Sequence, residues 1–517
     1  MHVHAERPHF VGESCRDASF ALRAGDKRRV HGIDADELAQ EGDDAIILNR
    51  RVVGTTSLEV ARTVAAAVRN AGGRALIVGG WVRDMLRRVA SKDIDLEVFG
   101  IDQPRLEALL AGLGRVEAVG QSFPVYKLIH PDARAIDVAL PRRESKQGRG
   151  HKGFVVAGDP SMPFVAAARR RDFTINAIGW DPLTETFEDP FDGRGDLDRR
   201  ILRVVDATTF GDDSLRVLRA IQFAARFEFT LDDETRALCG AIPLDDLPAE
   251  RIWGEIEKLL LQARRPSIGF ALALDLGVVD RVLPELRPLV GCEQEPEWHP
   301  EGDVWTHTLM VVDQARAAID DLDRARRITV MLAALCHDLG KPATTAVIDG
   351  RIRSLNHEEA GVEPTRRLLD RLNVHSIDGY DVRAQVAGLV ADHLKPGMFH
   401  KAGNVGDGAF RRLAQRVDME LLARVARADC LGRSGGFDCS AMDWFIERAR
   451  ALGVEHQPPA PLLLGRHVLA LGVKPGPPVG EVLRQVYEMQ LDGEVRSTEA
   501  AIDVARTILA TLQTSTR

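Results

Sequence analysis

"LIVGGWVRDMLRRVASKDIDLEV", residues 76–98, is the stretch from which this chain is read. An apolar run from Ala75 to Val78 meets Gly79-Gly80, and "WVRDMLRRV" after it has helical spacing. "KDIDLEVF" alternates as a strand does, and so does "RAIDVAL" around Asp137; "PRLEALLAGLG" between them reads as a helix. The whole describes a small α/β unit. Alternate side chains of a strand share a face, so Asp93, Asp95 and Glu97 point one way and Ile94, Leu96 and Val98 the other. Neighbouring carboxylates repel unless a cation lies between them, and their hard oxygens suit Mg²⁺. A solvated acidic edge strand would show the same D-x-D. The glycine pair shifts the balance, because a turn between strand and helix lets backbone amides approach a phosphate. The pattern is not G-x-x-x-x-G-K-[ST], so a P-loop fails, and without G-x-G-x-x-G a dinucleotide fingerprint is weak. Arg83, one turn into the helix, is placed to meet a triphosphate. Asp137 is a candidate third carboxylate from a neighbouring strand. Together these groups describe a metal-dependent nucleotidyl-transfer centre.

Composition bounds the rest. A chain of 517 residues predicts two to four domains. A net charge of −9 argues against a chain-wide basic nucleic-acid binder and leaves local basic patches open. Cys15, Cys239, Cys292, Cys336, Cys430 and Cys439 are scattered without C-x-x-C spacing, so neither a zinc ribbon nor a disulfide framework is expected, and a reducing compartment is. No apolar run is long enough to span a membrane, and the N-terminus lacks a signal pattern. A cytoplasmic protein with no membrane partner is the expectation.

Residues 1–55 are weakly patterned and read as a flexible extension. "RRESKQGRGHKG" (142–153) reads as a mobile loop. Long helical patterns dominate from about residue 210, and Pro296 and Pro300 punctuate a boundary. The expected fold class is α+β: an α/β head at 56–190, an all-helical neck or body at 191–295, a helical histidine-bearing domain at 296–450 and a short helical tail at 451–517.

Two further patterns carry chemistry. Asp213, Arg216, Arg219, Gln222 and Arg226 form one polar stripe on a helix, with Leu215, Leu218, Ile221 and Phe223 largely off it. A solvated face is the ordinary fate of such a run. The sharper reading is base recognition, since a carboxylate accepts from the exocyclic amine of C or A and arginine donates to ring acceptors. The second pattern is His307, His337-Asp338, His357, His393 and Asp429, each in an apolar-then-polar helical context. A lone histidine there is ordinarily a core residue, but a series of them with carboxylates suits Mn, Fe, Ni or Zn better than Mg²⁺ alone.

"GGWVRD…KDIDLEV" is followed in order by "RRRDFTINAIGWDP", "DPFDGRGDLDRRILRVV", "FGDDSLRVLRAIQFAARFEF" and "LPAERIWGEIEKLL". This series, over roughly residues 73–262, resembles the class II tRNA nucleotidyltransferases, the CCA-adding enzymes, and their relatives the bacterial poly(A) polymerases. The resemblance implies tRNA, CTP and ATP as partners. It implies Mg²⁺ at Asp93 and Asp95, and nucleotide contacts from Gly79, Gly80, Arg83 and Arg171, with Asp172 and Asn176 supporting Arg171. It gives Asp213 and Arg216 the choice of C and A, and aims Arg219 at the triphosphate. Gln222 stands where an arginine is usual and is left out of the site.

The order H…HD…H…H…D resembles the HD-domain phosphohydrolases, and the full chain resembles bacterial CCA-adding enzymes that carry such a domain. That implies His307, His337, Asp338 and Asp429 as direct ligands of a divalent transition metal (Mn, Ni, Fe or Zn) or Mg²⁺, and His357 and His393 for a second metal or a phosphate. The implied second activity is phosphatase or 2′,3′-cyclic phosphodiesterase. Poly(A) addition, a non-catalytic RNA-binding head, and an HD hydrolase with an RNA-holding head remain alternatives.

Overall fold

The computed structural model describes residues 55–91, 93–119, 125–130, 135–146 and 154–515. The expected N-terminal extension lies, apart from Thr55, outside them.

The head is built on β1 (Arg74–Val78), β2 (Asp95–Phe99), β3 (Arg115–Val119), β4 (Val125–Ile129), β5 (Ile136–Ala139), β8 (Gly179–Asp181) and β9 (Thr186–Glu188), in the order β3-β4-β5-β2-β1-β8-β9. One face of this sheet packs Leu96, Val98 and Val138 against Val64 and Val68 of the Thr55–Asn70 helix. The other packs Leu76 and Val78 against Met162 and Phe164. β1 and β2 are antiparallel with Val78 opposite Asp95, so the glycine pair that follows Val78 emerges beside the acidic strand. β2 and β5 are parallel with Asp95 opposite Asp137. Asp93 precedes the strand proper.

The expected mobile loop is in part a hairpin. β6 (Arg142–Lys146) pairs antiparallel with β7 (Phe154–Gly158), and only the connection at 147–153 falls outside the described residues. Its composition is poor in strand formers; cross-strand backbone hydrogen bonds supply the structure, and local composition does not report them.

Beyond the head the chain is mostly helical. One continuous core runs from Phe173 to Val454 and includes both the neck helices and the histidine-bearing helices. The tail has a core of its own, around Leu463, Val482, Val486 and Ala505. Among the described residues no helix is long and apolar enough to cross a membrane.

Where no disulfide framework is expected from the sequence, one pair among the described residues, Cys430 and Cys439, is disulfide-bonded. Cys430 lies near the end of the Met419–Leu431 helix and Cys439 caps the Ser440–Ala451 helix; packing of the two brings the Cα atoms to 6.0 Å. That is within bonding range, and their separation in sequence carries no motif.

Candidate functional site

Every head residue singled out from the sequence lines one cavity of about 1160 Å³ between the sheet and the Leu215–Phe227 helix. Gly79 makes the turn with φ 74°, and a Cβ there would sit 3.1 Å from Arg171 Nη1 and 3.7 Å from Asp95 Oδ2. The positive φ is what favours glycine here. Asp95 faces the cavity beside Asp137 and Asp93. Shielding from bulk water pushes its carboxyl up to about 6; Arg171 opposes this, and Asp137 and Asp93 add to it. Crowded carboxylates raised this way are a site that a divalent cation relieves. Asp137 also holds Lys127 at 3.2 Å.

Glu97 is buried and takes Arg171 at 3.4 Å, so the acidic face of β2 continues inward. Asp172 and Asn176 do not support Arg171, as the resemblance implied. Asp172 Oδ2 accepts from Arg219 Nε and lies 2.7 Å from Arg219 Nη2; its Oδ1 accepts from Phe173 N and Asn176 Nδ2. Asn176 Oδ1 in turn accepts from Arg83 Nη1 at 2.6 Å, and Arg83 Nε donates to Asp84. The chain Arg219–Asp172–Asn176–Arg83 ties the long helix to the glycine-turn helix. Phe223 and Phe227, stacked at 5.2 Å, lie beneath these arginines: Arg83 is 4.6 Å from the Phe227 ring and Arg219 4.9 Å from the Phe223 ring.

Asp213 and Arg216 face the same cavity but do not bond each other. Arg251 grips Asp213 with two hydrogen bonds, of 3.0 and 2.8 Å, and Arg216 donates to the carbonyls of Thr209 and Arg170. Burial would raise the Asp213 carboxyl, but the Arg251 hydrogen bonds hold it below its ordinary value, so it stays a pure acceptor. Arg251 was missed; its only signal was its place in "LPAERIWGEIEKLL". Gln222, set aside from the sequence, lines the cavity with both amide atoms buried and without a hydrogen-bond partner.

The histidine series converges on a second centre. His337 Nδ1 donates to Ala334 O, His357 Nδ1 to Ser354 O and His393 Nδ1 to Val390 O, all at 2.7–2.8 Å. A carbonyl only accepts, so these Nδ1 atoms carry protons and each Nε2 is the nitrogen turned towards the centre. His307 Nδ1 lies 2.9 Å from Glu301 Oε1. This backing of the far ring nitrogen is the usual support of metal-ligating histidines. His307, His337 and Asp429 form one potential ligand triad, and Asp338, His357 and His393 a second. Asp338 joins them: His337 Nε2 is 3.1 Å from its Oδ2 and His357 Nε2 is 3.3 Å from its Oδ1.

Burial alone would raise Asp338, but His337 and Lys341 hold it well below the carboxylate range; Arg433 and His307 do the same for Asp429. Burial drives His393 down to about 3, so it is neutral. His357 Nε2 faces His393 Nε2 at 3.3 Å, and Lys341 Nζ lies 2.7 Å from Asp338 Oδ2. Inward-turned imidazole nitrogens beside two buried carboxylates, in two triads of ligand atoms, fit a divalent metal centre. Glu301 was not anticipated; burial would raise it, but His307 and His299 hold it at about 2.

A glycine turn beside an acidic strand, a row of anchored arginines and an Asp/Arg pair on the same cavity wall define a nucleotidyltransferase head, here on one chain with an HD-type histidine centre. Comparison with known proteins agrees. Residues 75–203 match the poly A polymerase head domain, 228–289 the "probable RNA and SrmB-binding site of polymerase A", and 304–433 the HD domain. The "Multifunctional CCA protein" of Stenotrophomonas maltophilia (strain K279a) is 39% identical over 376 residues, covering 69% of this chain and 86% of that protein. That of Xanthomonas campestris pv. campestris (strain B100) is 37% identical over 423 residues, covering 79% and 95%. The CCA-adding enzyme of Bacillus stearothermophilus in complex with CTP shares the fold at a TM-score of 0.61 and 21% identity, over 89% of this chain and 99% of that one. The chain belongs to the multifunctional CCA protein family, class II tRNA nucleotidyltransferases that carry an HD domain.

Proposed function

We propose that this chain adds C, C and A in turn to tRNA 3′ ends from CTP and ATP, without a nucleic-acid template, and that its HD centre hydrolyses phosphoesters as a phosphatase or 2′,3′-cyclic phosphodiesterase. The observation that carries the first reading is the meeting of Asp95, Asp137 and the Gly79 turn with Asp213 and Arg216 in one cavity. Asp93, Asp95 and Asp137 would hold Mg²⁺, which when bound helps ionise the attacking 3′-hydroxyl and neutralises the departing pyrophosphate. The Gly79–Gly80 turn, Arg83, Arg171 and Arg219 receive the triphosphate. Arg83 and Arg219 are held in register by Asp172 and Asn176, so both phosphate-facing cations are set before substrate arrives.

Asp213, ionised, accepts from the exocyclic amine that C and A share, and Arg216 donates to the adjacent ring nitrogen. U and G present a carbonyl there, which an acceptor rejects.

In the HD centre the two triads would hold one or two divalent ions (Mn, Ni, Fe, Zn or Mg), which when bound supply an activated water for attack on phosphorus. Arg433 and the buried Lys341, paired with Asp338, line its cavity as cations for the phosphate oxygens. The separate core of the tail supports a boundary near 451, whereas Phe173 and Ile175 of the head segment already belong to the core of the neck. The core shared by neck and HD segment makes those two one mechanical body. A cytoplasmic site of action belongs to the same proposal.

The test is single-nucleotide extension, with Mg²⁺, of tRNA transcripts ending before CCA, after C and after CC. Ordered addition of C, C and A followed by arrest is expected. A long A tail instead would make the protein a poly(A) polymerase. Asp95→Ala should lose extension and keep phosphoester hydrolysis, and Asp338→Asn the reverse.

A further inference from the structure

The cavity over the HD centre holds about 230 Å³. That is room for a phosphate and part of a ribose, and too little for a whole nucleotide, so a base attached to such a phosphate must lie on the rim. Trp298 is on that rim, 48% exposed. A single exposed aromatic needs no explanation, but this one is built in. Its ring stacks on Phe437 with centroids 6.3 Å apart and planes at 26°. The Phe437 ring is seated against Gly435, where a Cβ would come within 2.6 Å of it. The Arg433 guanidinium lies 5.7 Å over the same ring.

The loop that carries Arg433, Gly435 and Phe437 is tied at both ends by the Cys430–Cys439 bond and held midway by Ser434 N donating to Glu301. Arg433 reaches Asp429 Oδ2 at 3.6 Å while its Nε is buried without a partner. A flat hydrophobic face therefore stands next to an under-bonded cation at the mouth of a metal-type centre.

We propose that Trp298, backed by Phe437, is a base-stacking platform that makes the HD centre select nucleoside phosphates over base-free phosphoesters. This rests on the hydrolase reading given above. Stacking tolerates any base, because each has a π face, so the platform selects for the presence of a base and not for its identity.

The test compares the full chain with Trp298→Ala and Trp298→Phe, each loaded with Mn²⁺, on adenosine 2′-monophosphate and on glycerol 2-phosphate. Removing one stacked base–aromatic contact should raise KM for the nucleotide about tenfold or more. It should leave kcat, and KM for the glycerol ester, within about twofold, and Trp298→Phe should restore most of the loss. Equal shifts on both esters, or on neither, overturn the proposal. If the wild-type chain hydrolyses neither ester, the hydrolase reading fails. The platform is then judged by calorimetric binding of adenosine 2′-monophosphate with the head saturated by CTP. The same tenfold ratio sustains it, and equal affinities sink it. A Trp298→Ala variant that leaves nucleotide affinity alone but changes self-association would make the surface a protein contact, which also overturns it.

Discussion

Asp172→Asn isolates the network that sets Arg219 and Arg83, the arginines proposed to receive the triphosphate. Each carboxylate oxygen has its own donors: Oδ2 serves Arg219, and Oδ1 serves Phe173 N and Asn176 Nδ2. An asparagine of the same shape has one oxygen, so it can serve one set and must turn an NH₂ towards the other. Kept on the Oδ1 side, it leaves Arg219 without a counter-charge. Breaking one partner of a buried ion pair costs about 3–5 kcal/mol, but Arg219 is 31% exposed and is partly rehydrated, which lowers the expectation to about 2–3 kcal/mol. Differential scanning calorimetry should then show the melting transition fall by about 5 °C. Arg219 and, through Asn176, Arg83 lose registry together, so KM for CTP and for ATP should rise alike, by about tenfold. Discrimination against UTP and GTP should not change, because Asp213 and Arg216 do not touch the network. Burial would raise the Asp172 carboxyl, but Arg219 and Asn176 hold it below its ordinary value. A lowered folded pKa gives stability that is present above the unfolded value of about 3.9 and lost as pH falls through the folded one. The stability gap between wild type and variant should therefore be constant from about pH 5 to 8 and close below about pH 4. An unchanged melting temperature with unchanged KM, or an effect on one nucleotide only, would refute the reasoning.

Three other outcomes are expected. Because the Asp95 carboxyl sits at about 6, protons compete with Mg²⁺ below that pH, and the Mg²⁺ needed for half-maximal extension should rise about tenfold between pH 7 and pH 5; a flat requirement would count against Asp95 as a ligand. Arg251→Ala removes a half-exposed ion pair, costing no more than about 1 kcal/mol of stability, but it unclamps Asp213. Misincorporation of UMP and GMP, read on sequencing gels, should increase about tenfold. A methyl group at Gly340 would collide with the carbonyl oxygen of His357, so Gly340→Ala should lower bound metal by elemental analysis and abolish HD hydrolysis, while CCA addition persists within a few-fold.

The sequence alone determined the glycine turn, the acidic strand and the two series of chemistry-bearing residues. Their signals are local: a period of two puts Asp93 and Asp95 on one face, a strand-to-helix turn favours Gly79, and an apolar-then-polar helical context marks each of His307, His337, His357 and His393. Tertiary structure decided which of these groups touch. Asp137 reaches Asp95 only through a parallel pairing whose register depends on the buried faces of the whole sheet. Asp172 and Asn176 turned from Arg171 to Arg219 and Arg83, because the long helix packs its arginines back onto the head. Gln222 passed from bystander to cavity wall, and Arg251 entered from a different helix to clamp Asp213. The β6–β7 hairpin and the Cys430–Cys439 bond were equally silent, since cross-strand pairing and helix-on-helix packing join residues whose own neighbours carry no trace of the partner. Local geometry is written in the period of the side chains, whereas contact between distant segments is chosen by the burial of the apolar surface they share.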